Sequence, residues 1–187
     1  MLVLEEWESA RRRGARIYAE LAGDGNSLSS YRITDSPPTG DGPIQAMRQA
    51  LADAGATTNE VDYVNAHGTS TPMNDRSEAA AVEGVFGERT GEIRVSSTKS
   101  SMGHLIAAAG AVEAAVCALA IHHSELPVNA NFEQTDPNCE RIHLVTGSSH
   151  KGRVRIAMSN SLGFGGSNSS LVLRNPEDVD DTARVSG

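Results

Sequence analysis

The sequence predicts an α/β fold, with helices covering a mostly parallel sheet that closes in a final hairpin. Short apolar segments of strand length alternate with helical segments along most of the chain, the pattern of a layered α/β protein. Near the C-terminus, two strand-like segments at 154–158 and 170–173 flank a glycine-rich turn. Aromatic residues make up only 4% of the 187 residues, so the core must be built mainly from Ala, Val, Leu and Ile. Side chains that small let helices and strands approach closely.

The elements follow in order. Residues 1–4 read as a short apolar strand. Residues 5–13 read as a helix with acids first and arginines last, as the helix dipole prefers, and Gly14 ends it. Residues 17–21 read as a strand and 23–42 as a loop, with Asp35-Ser36-Pro37-Pro38 and Asp41-Gly42 as turn signals. Pro43 suits the first turn of a helix reaching about residue 54, its face marked by Ile44, Met47 and Leu51, with Gly55 as its stop. A strand is expected at 61–64, a loop at 67–71, and a helix from Pro72 to about residue 86. A strand at 93–95 leads through a polar stretch into a long Ala-rich helix at 104–122. Residues 126–131 and 138–144 read as extended or loop segments. The tail, 175–187, is polar and acidic and reads as disordered.

Composition excludes several classes. A net charge of -8 argues against nucleic-acid binding, which needs a basic face. Arg11, Arg12, Arg13 and Arg16 read as a solvated helix face or a small basic patch. Cys117 and Cys139 are too few for a disulfide framework, so a reducing cytoplasm is expected. Cys117 lies in an apolar run and reads as a small core residue. No signal peptide is visible, and the longest apolar run, 105–121, is short for a membrane span and interrupted by Glu113. It reads as a buried helix. The six histidines include no HExxH, and no metal site is expected.

Three segments place polar or glycine-rich loops just beyond strands, where ligands gather in α/β sheets. In Asn65-Ala66-His67-Gly68-Thr69-Ser70-Thr71-Pro72, His67 follows a buried strand and Gly68 lets the backbone turn away. The same loop also reads as a simple cap, with Thr71 ahead of Pro72. In Ser96-Ser97-Thr98-Lys99-Ser100-Ser101-Met102-Gly103-His104, His104 is placed at the start of the long helix. A helix N-terminus disfavours imidazolium, so His104 should stay neutral and able to donate to an oxyanion. Glu113 needs a partner if buried, and Lys99 is the best candidate; a structural ion pair is the plainer reading. In Asn160-Ser161-Leu162-Gly163-Phe164-Gly165-Gly166-Ser167-Asn168, a lone Phe among glycines reads as an apolar flap. The run matches neither a P-loop nor GxGxxG.

Together, NAHGTSTP, SSTKSSMGHL with AAAGAVEA, and NSLGFGGSNSSLVL resemble the elongating β-ketoacyl-acyl-carrier-protein synthases of the thiolase-like superfamily. The resemblance covers residues 1–174. It implies a layered α/β/α fold, the C-terminal half of a pseudo-duplicated architecture. Residues 1–42 would then be a remnant of the connection to an N-terminal half. It implies a decarboxylative condensation of malonyl-carrier protein with an acyl thioester in fatty acid or polyketide elongation. His67 and His104 resemble the pair that holds the malonyl thioester oxygen, and a preorganised donor of that kind is worth about 3–4 kcal/mol. Lys99, paired with Glu113, resembles the supporting lysine. Thr69 and Thr71 resemble the hydroxyls that bind phosphopantetheine, and Phe164 the gating Phe whose N–H helps form an oxyanion hole. No cofactor is implied beyond the phosphopantetheine of the acyl carrier protein. The implied partners are that carrier, an N-terminal half and, in the intact enzyme, a second copy; no membrane or nucleic acid is implied.

Leu162 stands where many relatives have Phe, and Ala107 where many have Gly. The larger departure is the family's nucleophilic cysteine, which belongs to the first half; neither Cys117 nor Cys139 sits in a comparable motif. The chain alone is therefore expected to be inactive in condensation, as a truncated chain, a split enzyme or the product of an internal start. A carrier-protein-binding module is the alternative. A folding fragment that self-associates through the Ala-rich helix is a third reading.

Overall fold

The computed structural model describes residues 2–179. Five helices are described: α1 (Trp7–Arg12), α2 (Asp41–Asp53), α3 (Pro72–Phe86), α4 (Lys99–Met102) and α5 (Ala109–His123). The strands are β1 (Glu20–Leu28), β2 (Val61–Asn65), β3 (Arg94–Ser96), β4 (Glu125–Leu126), β5 (His143–Leu144), β6 (His150–Lys151), β7 (Ile156–Leu162) and β8 (Ser167–Arg174). Six of them form one sheet in the order β1-β8-β7-β2-β3-β5, and β4 pairs with β6 apart from it. The pairs β7–β2, β2–β3 and β3–β5 are parallel, while β1–β8 and β8–β7 are antiparallel. The sheet is thus more mixed than the expected mostly parallel one, because the terminal hairpin also recruits β1.

Helices cover both faces of this sheet. One core joins Met47, Ala50 and Leu51 of α2, and Val82 and Phe86 of α3, to Val64, Ile156, Met158 and Val172. The other joins Cys117, Ala120 and Ile121 of α5 to Tyr63, Ala157 and Leu173. Successive residues of β7 and β8 therefore feed opposite layers, which explains the consecutive apolar residues Ile156-Ala157-Met158 and Leu171-Val172-Leu173. Cys117 is the core residue its setting implied.

Three expected elements differ. The strand expected at 17–21 lies further along, at β1, and runs through the glycines of the expected loop. A Cβ on Gly25 would come within 2.1 Å of the Ala46 carbonyl oxygen, and one on Gly23 within 2.5 Å of the Ala54 nitrogen. These glycines let α2 lie directly on the strand, a close approach that strand propensity does not register. Of the strand expected at the N-terminus, Leu2, Val3 and Leu4 are exposed and form no regular element, and Met1 lies outside the described residues. The expected disordered tail begins with ordered chain: Asn175 caps a turn over Pro176–Asp178 and donates to the Val154 carbonyl at 3.1 Å. Residues 180–187 lie outside the described residues.

The long Ala-rich helix is also not continuous. Gly103 has φ 76° and Ile106 φ 53°, so the chain leaves α4, turns through Ile106–Ala108 and only then enters α5. A β-branched residue at positive φ is strained, and the pair of turns breaks the helix where periodicity alone predicts continuity. Nor is this helix buried all round. The stretch Ile106–His123 is long and apolar enough to cross a membrane, with a mean hydropathy of 1.5, but a third of it is buried. Glu113 and Cys117 face the sheet, while Leu105, Ile106 and Leu119 are exposed.

Candidate active site

The C-terminal ends of β2 and β3 lie side by side, with Asn65 opposite Ser96, and each leads into a loop carrying a predicted residue. His67 follows β2. Its backbone N–H donates to Glu78 Oε1 and the next N–H, of Gly68, to Glu78 Oε2, both at 2.8 Å. Glu78 reaches the loop from the second turn of α3 and is fully enclosed. Burial pushes its carboxyl above the ordinary range, and the two N–H donors pull the other way. Glu78 carries no motif in the sequence. The signal was an acid on the Ala-rich buried face of α3, which needs donors somewhere.

From the other side, the Ser97 hydroxyl donates to the Gly68 carbonyl at 3.0 Å. Gly68 has φ 42°, and a Cβ there would come within 2.5 Å of Ser97 Cβ, so only glycine fits between the two loops. The His67 ring is buried, and its Nδ1 has no hydrogen-bond partner. Burial, then the positive Lys99, then His104 lower its pKa to about 3, so the ring is neutral at physiological pH.

The His104 ring stands edge-on to His67, with centroids 5.4 Å apart and planes at 81°. It is not at the start of the long helix but in the link between α4 and the next turn, so the helix-dipole reason expected for it does not hold. Its Nδ1 accepts the Ile106 N–H at 3.0 Å. In the neutral ring, that bond puts the proton on Nε2 and leaves Nε2–H free to donate.

Lys99 Nζ and Glu113 Oε1 form an ion pair, their side chains only 5% and 3% exposed. Burial raises the Glu113 carboxyl above its ordinary range, opposed by the Lys99 ammonium, and its second oxygen has no hydrogen-bond partner. Lys99 is thus fixed beneath the histidines by the partner the sequence suggested.

Thr69 and Thr71 lie on the His67 loop with hydroxyl oxygens 3.0 Å apart. Thr71 occupies the N-cap position of α3, but its side chain makes no cap bond and its hydroxyl is shared with Thr69 instead. Phe164 follows β7, the strand beside β2, and is 79% exposed. Its loop is pinned at its base: Ser29 N–H donates to the Gly166 carbonyl at 2.8 Å, and Gly165 N–H to the Ile33 carbonyl at 2.7 Å. Asn168 adds a 2.9 Å bond to the Ser29 hydroxyl. The structure therefore groups His67, His104, Lys99, Glu113 and the two threonines, and sets the Phe164 loop on the neighbouring strand.

Neither cysteine is activated. Burial pushes the Cys117 thiol up to about 12 and the Cys139 thiol up to about 11, the reverse of what a nucleophile needs. Among the described residues, no group of three or more His, Cys, Asp or Glu stands where it would hold a metal.

The site is thus a layered α/β scaffold on which two histidines face each other near a buried lysine–glutamate pair. The family model for the β-ketoacyl synthase C-terminal domain matches residues 18–133, and the chain belongs to that family. It is 49% identical over 175 residues to a mitochondrial 3-oxoacyl-[acyl-carrier-protein] synthase of Arabidopsis thaliana, covering 92% of this chain and 38% of that protein. It is 44% identical over 174 residues to 3-oxoacyl-[acyl-carrier-protein] synthase 2 of Staphylococcus aureus, covering 93% of this chain and 43% of that protein. Among solved structures, one is a type II polyketide acyl-carrier protein in complex with its ketosynthase bound to a hexaketide. It matches with a TM-score of 0.89 and 36% identity, over 94% of this chain and 42% of that one. The ishigamide ketosynthase/chain length factor matches with a TM-score of 0.85 and 40% identity, over 90% and 41%. The chain thus spans about two fifths of the length of the curated relatives it matches.

Proposed function

We propose that this chain supplies the decarboxylation half of a 3-oxoacyl-acyl-carrier-protein synthase site, completed by a cysteine from outside these residues. The observation that carries the reading is the buried His67 facing His104 above the Lys99–Glu113 pair. The malonyl thioester of an acyl carrier protein would lie with its carbonyl oxygen toward the histidine N–H donors. Loss of carbon dioxide leaves an enolate whose charge the imidazole N–H donors stabilise by hydrogen bonds. The enolate carbon then attacks an acyl thioester on the cysteine, the thiolate leaves, and a 3-oxoacyl chain two carbons longer remains on the carrier. Neutrality of His67 matters because an imidazolium would protonate the carbanion and end the reaction without condensation.

Thr69 and Thr71 would hold the phosphopantetheine arm by their hydroxyls, and Phe164 would gate the acyl side. Holding both acyl groups in one cleft removes much of the entropic barrier. The acyl carrier protein is the proposed partner, supported by the carrier complex among the structural relatives. Both cysteines are free, which suits a reducing compartment; since one relative is named mitochondrial, we propose a reducing interior and not the cytoplasm in particular.

The test is co-expression with a cysteine-bearing synthase half and measurement of 3-oxoacyl product from malonyl- and acyl-carrier protein. Product is expected only with both parts, and His67→Ala or His104→Ala should lower the rate by about 10²–10³. Carrier binding with no turnover in the completed pair would instead identify a binding module.

A further inference from the structure

The loop that carries His67 and the turn that carries Lys99 are joined by a third segment to which nothing above assigns a part. Asn129 follows β4 and is half-buried. Its side-chain oxygen accepts the Ser97 N–H at 2.9 Å, the first N–H beyond the end of β3. Its amide nitrogen donates to the Val95 and Val145 carbonyls, both at 3.2 Å, and its own backbone N–H to Val145 at 2.8 Å. One planar amide thus ties the exit of β3 to the chain beyond β5 and fixes the direction in which Ser97 leaves the sheet. The Ser97 hydroxyl in turn meets the Gly68 carbonyl at 3.0 Å and the His67 carbonyl at 3.4 Å. Just beyond, Ala130 N–H donates to the Ser100 hydroxyl at 2.9 Å, strapping the same segment to the Lys99 turn.

His67 has few restraints of its own, since its Nδ1 has no hydrogen-bond partner. Its place is set by its backbone: Glu78 accepts its N–H at 2.8 Å, and the Ser97 hydroxyl reaches its carbonyl at 3.4 Å and the next carbonyl, of Gly68, at 3.0 Å. Glu78 belongs to a regular helix. Ser97 lies beyond a strand of three residues and takes its direction from Asn129. The Ser97 carbonyl accepts from the Ser100 hydroxyl at 2.8 Å and the Ser100 N–H at 3.2 Å, while its N–H, where it leaves the strand, is held by the Asn129 amide.

We propose that Asn129, acting through Ser97, is a positioning residue that seats His67 in its buried, water-excluded place beside Lys99. The proposal rests on the role given to His67 above, but it is tested without turnover. In the full chain labelled with ¹³C and ¹⁵N, the ring signals of His67 report its titration directly. With no carrier protein or added thiol, the expected midpoint is about 3. Asn129→Ala and Ser97→Ala should each let the ring reach water and raise that midpoint by about one unit or more, a tenfold or greater rise in proton affinity. Ser97→Ala removes a single oxygen, so it remains informative if Asn129→Ala does not fold. Asn175→Ala, which removes a buried side-chain bond to Val154 far along the chain, is the control for general loosening and should leave the midpoint unmoved. An unchanged midpoint in the folded Ser97 and Asn129 variants, or an equal rise in the Asn175 variant, overturns the proposal. Because the readout needs no reaction, that failure is distinct from a failure of the condensation assay.

Discussion

Arg13 meets Glu5 beside the first helix, and Lys99 meets Glu113 beneath the histidines. Both are cation–carboxylate pairs, but the first has side chains 60% and 27% exposed and the second 5% and 3%. The surface pair has the better geometry, with two Arg13 nitrogens on the carboxylate of Glu5. Water and salt screen it, and both ends remain solvated when it breaks. The buried pair has one contact and leaves a Glu113 oxygen without a hydrogen-bond partner, yet neither charge can escape to water. Its consequence is local: the Lys99 charge helps keep His67 neutral. Good geometry marks the pair that matters less, and enclosure the one that shapes the site.

Removing one partner from each pair sharpens that contrast. Glu113→Ala leaves Lys99 buried and uncompensated and should cost about 3–5 kcal/mol, measured by urea unfolding. Glu113→Gln, which keeps an acceptor, should cost less. If Glu113→Ala is no worse than a surface change, Lys99 reaches water and the enclosure argument fails.

The next effect is a pH dependence. His67 titrates at about 3 when folded, against 6.5 for an ordinary His, so between these values the unfolded chain binds the extra proton. Stability from this group is full above 6.5 and is lost as pH falls toward 3, by about 2 kcal/mol between pH 7 and pH 5. Glu78 and Glu113, raised in the fold, act in the opposite direction, losing stability as pH rises above the ordinary carboxylate value. The His67→Gln variant should therefore lose less stability than the parent between pH 7 and pH 5, as read by thermal melts. An identical loss in both would place the ring in water.

The smallest effect is expected at the surface. Glu5→Ala should move the melting temperature within experimental error at physiological salt. A clear drop would mean that α1 is held by this pair and not by its buried Ala10 and the Glu6 cap.

Much of this was legible in the residues, and the exceptions have physical causes. The helix at Pro72–Phe86 was plain because Pro72 fixes its first turn and Gly87 follows its last. The Lys99–Glu113 pair followed from electrostatics alone: an acid in an apolar helix needs a cation, and one lay at the right place. The strand β1 was hidden because Gly23 and Gly25 are poor strand formers chosen for the approach of α2. His104 was placed in a helix because apolar periodicity runs through it, and no pattern reveals positive φ at Ile106. The roles of Glu78, Ser97 and Asn129 are hydrogen bonds to backbone made across the fold, which leave no local pattern in the sequence.

The most direct test of the central claim is decarboxylation of malonyl-carrier protein by this chain together with a cysteine-bearing half. Carbon dioxide release that depends on the pair, and that falls steeply in both His67→Ala and His104→Ala, is the predicted result. Release that persists in a folded double histidine variant, or none from a folded and carrier-bound pair, would contradict it.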